Sequence, residues 1–72
     1  MPRYRVVLTA SGKPTLYVRD GAGLTPTVEA ATPFTHRYAV WSARNVRANA
    51  AAFHLSHYTV RVVRTDVVQE HA

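Results

Sequence analysis

Ala39-Val40-Trp41-Ser42-Ala43-Arg44-Asn45-Val46-Arg47-Ala48-Asn49-Ala50-Ala51-Ala52-Phe53, followed by Tyr58-Thr59-Val60-Arg61-Val62-Val63, decides the fold. In the first run Ala39, Ala43, Val46, Ala50 and Phe53 recur at steps of four, three, four and three, which is the helical period. In the second, Tyr58, Val60 and Val62 alternate with Thr59, Arg61 and Val63, which is the strand period. A helix reaching about Phe53 therefore ends between His54 and Ser56 and feeds a strand. Its core stripe is mostly alanine, so its backbone is expected to lie close to whatever it covers.

Upstream, Tyr4-Arg5-Val6-Val7-Leu8-Thr9 reads as a strand with Tyr4, Val6 and Leu8 on one face and Arg3, Arg5 and Val7 on the other. Ser11-Gly12-Lys13-Pro14 is a turn, and Thr15-Leu16-Tyr17-Val18-Arg19 completes a hairpin. Leu16 and Val18 join the apolar face; Tyr17 and Arg19 join the arginine face. Residues 20–34 form a long connection, with Val28-Glu29-Ala30 as a short edge strand. Thr32 or Thr35 supplies the helix N-cap. The expectation is a single α+β domain over residues 1–72, β-β-α-β, with a three-stranded antiparallel sheet in the order 2-1-3 and the helix on one face. Val67-Val68 is expected to prolong the last strand.

The chain has 72 residues, 47% of them hydrophobic and 18% charged, and no cysteine. This length is near the lower limit for a core unsupported by disulfides. A cysteine-free chain whose start lacks the apolar run of a signal peptide is expected to be soluble and cytoplasmic. The formal net charge is +5, which favours anionic partners by long-range attraction. Eight of the nine cationic residues are arginine, a side chain suited to bidentate contacts with phosphate and carboxylate.

Two surfaces follow from the periods. The sheet face away from the helix presents Arg5, Val7, Tyr17, Arg19, Arg61 and Val63, with Arg3 at the rim. Such a face can grip an acidic protein surface, or phosphates with a base stacked on Tyr17. On the helix, Trp41 lies opposite the alanine stripe, flanked by Arg37 and Arg44. It reads as a protein contact, a homodimer face, or a lone ring stacked beneath an arginine.

Chemistry has little to stand on. Asp20, Glu29, Asp66 and Glu70 are the only carboxylates, and no two are spaced for acid–base work. His36, His54, His57 and His71 lack the cysteine or carboxylate support of a zinc site; His54 reads instead as a helix C-terminal residue facing the dipole. Ser56 and His57, as strand neighbours, would point to opposite faces. No enzymatic activity, metal or cofactor is expected.

A hairpin, then Val28-Glu29-Ala30-Ala31-Thr32-Pro33-Phe34, an alanine- and arginine-rich helix and a closing Tyr-Thr-Val-Arg-Val-Val strand together make a familiar pattern. It resembles small proteins encoded by phages and prophages, among them some basic anti-CRISPR proteins. The resemblance covers roughly residues 4 to 64, in pattern rather than in a diagnostic motif, and no site residue carries over. It implies a non-enzymatic inhibitor that occupies a surface of a host macromolecular complex such as a CRISPR effector. The alternatives are a small nucleic-acid-binding protein using the arginine face, and a structural homodimer.

Overall fold

The computed structural model describes residues 2–20 and 23–65. The elements run β1 (Tyr4–Thr9), β2 (Leu16–Arg19), β3 (Gly23–Thr25), a 3-10 turn (Val28–Ala30), α1 (His36–Ala48) and β4 (Thr59–Arg64). The sheet is antiparallel and has four strands in the order β3-β2-β1-β4. This corrects the expected three-stranded sheet in the order 2-1-3. The expected edge strand at Val28–Ala30 is a 3-10 turn, and the added strand lies upstream of it. Gly23, at φ 86°, turns the chain back so that Leu24 pairs with Val18 and Thr25 with Tyr17. Pro26 then ends the strand, since it has no N–H to donate. The Thr25 Oγ1 accepts from the Thr27 N–H at 3.2 Å and starts the next turn.

Between β1 and β2, Gly12 takes φ 73° and the Lys13 N–H donates to the Ala10 carbonyl at 3.1 Å, closing the hairpin turn. The two strands pair at Val7↔Tyr17 and Leu8↔Leu16. Toward their other ends they part, because residues 32–34 are wedged between them. Tyr4 and Phe34 exchange two backbone hydrogen bonds of 2.8 and 2.7 Å, on the side of β1 not taken by β4. The Thr32 N–H donates to the Val18 carbonyl at 3.2 Å, and its Oγ1 accepts from the Asp20 N–H at 2.7 Å. The strap thus satisfies backbone groups that the splayed hairpin would leave unpaired.

Thr35, directly after the strap, is the N-cap of α1; its side chain accepts from the Tyr38 N–H at 3.3 Å. The helix buries Ala39, Ser42 and Ala43. Those small side chains let it sit close over Val6, Leu8, Val18, Phe34 and Val60, which with the two alanines form the core. Tyr4, Leu16, Leu24, Val46, Leu55, Tyr58 and Val62 pack around that core.

α1 stops at Ala48, short of the expected Phe53. The Asn45 carbonyl takes both the N–H and the side-chain Nδ2 of Asn49, at 3.1 and 2.9 Å. Beyond it Ala51 and Ala52 stay exposed, and Phe53, expected on the core stripe, is 67% exposed. The turns that follow close when the Leu55 N–H donates to the Ala50 carbonyl at 2.7 Å and the His54 N–H to the Ala51 carbonyl at 3.3 Å. His54 sits between those bonds at φ 59°, the left-handed residue of a Schellman-type stop. Leu55 is thereby returned to the core, and β4 begins. The expected extension through Val67-Val68 lies outside the described residues.

A non-glycine residue in the left-handed region is strained by about 1 kcal/mol. His54→Gly is therefore expected to raise stability by about 0.5–1 kcal/mol, read as a higher urea midpoint at unchanged slope. A lower midpoint would mean that the imidazole, not the backbone geometry, holds this turn.

Candidate functional site

The sheet face away from α1 is built on one cross-strand row. Thr25 pairs with Tyr17, Tyr17 with Val7, and Val7 with Arg61. One position further along β1, on the same face, Arg5 pairs with Val63. Facing residues in such rows stand close enough for long side chains to cover their neighbours. Val7, although on the uncovered face, is only 9% exposed. The face expected to be bare is thus closed over its central valine, with Tyr17 and Arg61 on either side.

Arg5 is the chemically distinctive residue here. It is half-buried, and its Nε–H is buried without a hydrogen-bond partner among the described residues. A guanidinium N–H out of water and without an acceptor is costly; that buried atom is closed to a docking partner, and an arriving carboxylate or phosphate oxygen would meet the solvent-facing remainder of the half-buried side chain. Arg61 is exposed beside it and Tyr17 is half-buried. Asp20 and Glu29 are the carboxylates among the described residues, and neither pairs with Arg3, Arg5, Arg19, Arg37, Arg44 or Arg61.

Not every arginine assigned to this face belongs to one cluster. Arg19 pairs with Gly23 at the end of β2. The wedged strap holds that end of β2 apart from β1, so Arg19 does not face Arg5. Instead it borders an apolar groove of about 280 Å³ lined by Val18, Leu24, Val46, Phe53 and Leu55. Arg3 lies just before β1 and lines clefts with Phe34, Tyr38 and His36 near the start of α1. Arg5, Tyr17 and Arg61 are brought together; Arg19 and Arg3 stand apart from them.

On the outer side of α1, Arg37, Trp41 and Arg44 are exposed, with Trp41 at 57%. The ring against Trp41 is Tyr38, centroids 5.3 Å apart, and Tyr38 stacks in turn on Phe34 at 4.9 Å. Sequence reasoning missed Tyr38. Its signal was present: 38 and 41 are three apart, which brings two aromatic residues together on one side of the helix, and Phe34 lies in the strap just before the N-cap. Arg47, also passed over, donates its Nη2 to the Val60 carbonyl at 2.7 Å, tying α1 to the edge strand β4.

No family model, curated protein or solved structure matches this chain. The site is therefore read from its own geometry. Among the described residues no group of three or more metal-ligating side chains occurs; His54 and His57 line a shallow hollow with Ala51 and Ser56. Among the same residues no helix is long and apolar enough to cross a membrane.

The orphaned Nε–H makes Arg5 separable from the fold. Arg5→Met keeps the apolar stem over Val7 and removes the unsatisfied donor. Its stability in urea is expected to match the wild type or exceed it by up to about 1 kcal/mol. A loss greater than that would show the guanidinium to be partnered within the folded chain.

Proposed function

We propose that this chain is a non-enzymatic binding protein that acts by occupying an anionic surface of a larger macromolecular complex in the bacterial cytoplasm. The observation that carries this reading is the grouping of half-buried Arg5 and Tyr17 with exposed Arg61 on one sheet face, neither arginine being engaged by a carboxylate among the described residues. Charge-assisted hydrogen bonds from arginine to carboxylate or phosphate are about twice as strong as neutral ones. Tyrosine and arginine are favoured anchors of protein interfaces. The sheet holds all three side chains in register before any partner arrives, so little freedom is lost on docking.

The resemblance to phage-encoded inhibitors supplies the class of target in this proposal, a host nucleoprotein machine such as a CRISPR effector. Inhibition would follow from occupancy, with the cationic face covering acidic protein surface or the track where nucleic acid belongs. A second reading, a basic nucleic-acid-binding protein, draws on the same unpaired arginines.

Tagged wild type and the Arg5→Met, Arg61→Gln double variant, incubated with lysate of a bacterial host with and without nuclease, separate these readings. The proposal expects a defined multi-subunit complex that survives nuclease and is depleted at least about tenfold with the double variant. Stoichiometric wild type, but not the variant, should then inhibit the isolated complex. Recovery of nuclease-sensitive material alone, with affinity falling steeply in salt, would assign the face to nucleic acid. Equal capture by wild type and variant would sink the sheet-face assignment.

A further inference from the structure

The outer side of α1 carries a second feature, which the sheet face does not use. Tyr38 and Trp41 are 45% and 57% exposed, and their planes are inclined at 50°. Tyr38 rests on Phe34 at an interplanar angle of 29°, and Phe34 is a core residue. The ladder is therefore rooted in the core at one end and open to solvent at the other. Rings held in this way give up little conformational freedom when something stacks on them.

The charge that α1 places around the ladder is of one sign, while Asp20 lines the cleft beside Phe34 and Tyr38 at the ladder's rooted end. Arg37 and Arg44 stand one turn before and one turn after Trp41, both exposed, and α1 contains no aspartate or glutamate. Arg47 is engaged with the Val60 carbonyl, which leaves Arg37 and Arg44 beside the rings. A second copy of the helix would oppose arginine to arginine with no carboxylate on either helix to offset them, so self-association through α1 is disfavoured by charge. An acidic protein surface would satisfy the arginines, but its carboxylates would leave the two exposed ring faces without a planar partner. Single-stranded nucleic acid satisfies both: bases offer flat faces to the rings and phosphates accept from the guanidiniums. In a duplex those base faces are hidden.

We infer that the Tyr38–Trp41 ladder, with Arg37 and Arg44, is a stacking site for single-stranded nucleic acid. It lies on the helix layer, across the core from Arg5 and Arg61, and stands whether or not the sheet-face reading does.

Trp41 is the sole tryptophan of the chain, so its fluorescence reports the site directly. Titration at low salt with an oligothymidylate of about 16 nucleotides should quench it saturably. In anisotropy with the labelled oligonucleotide, Trp41→Ala should weaken binding by about tenfold or more, Trp41→Phe by much less. The Arg5→Met, Arg61→Gln double variant should stay within about threefold of wild type, which separates this site from the sheet face. Absence of quenching, equal affinity of Trp41→Ala, or equal affinity for a duplex of the same length would overturn the inference. Tighter binding of polyglutamate than of oligothymidylate would overturn it in favour of an acidic protein. A dimer in light scattering that Trp41→Ala dissolves would overturn it in favour of self-association.

Discussion

The pairing of β1 with β4 is the constraint on which the rest of the molecule depends. All six residues of β1 find partners, from Tyr4↔Arg64 to Thr9↔Thr59. On its other side the same strand takes β2 and the strap at Phe34. Because alternate residues of a strand point to opposite faces, this one strand divides the molecule. Val6 and Leu8 go fully into the core beneath Ala39 and Ala43, while Arg5 and Val7 go to the uncovered side. A slip of one residue in the register would exchange those sets and bury an arginine under the helix.

What the sequence makes legible follows from how many residues repeat a pattern. The alternation of Tyr58 to Val63 is readable because only one side of that strand meets the core, with Val60 buried and Arg61 exposed. The helix entry is readable because a threonine before an alanine-spaced run has one local use, although Thr32 and Thr35 competed for it and only the bonds made by each separate them. β3 is not readable: three residues give a strand period nothing to repeat over, and its existence depends on the backbone of β2. The premature stop of α1 is hidden for a related reason. Alanine favours helix at 50, 51 and 52 by propensity, but a propensity carries no information about whether a core lies underneath.

The same limit governs the surface. Periodicity placed Arg5, Tyr17, Arg61, Arg37, Trp41 and Arg44 on their elements, but it treated the arginine face as one continuous patch. The strap at residues 32–34 breaks that patch, and it does so through backbone hydrogen bonds from a segment with no periodic signal. Arg19 instead borders the groove lined by Leu24 and Phe53. The helix surface gained where the sheet face lost, since Tyr38 turns a lone tryptophan into a ladder with a foot in the core.

β1 is synthesised before β4, so Leu8 waits for Val60 while about 50 residues are added, a matter of seconds at ordinary translation rates. Through that interval Val6-Val7-Leu8 is an apolar strand without its main partner, the kind of edge on which chains aggregate. Arg5 stands directly before that run and Arg3 two residues earlier. Charges in such positions act as gatekeepers against strand-to-strand association between unfinished chains. The guanidinium that is left without an acceptor in the finished fold thus occupies a gatekeeper position in the unfinished one, before any surface exists for it to adorn.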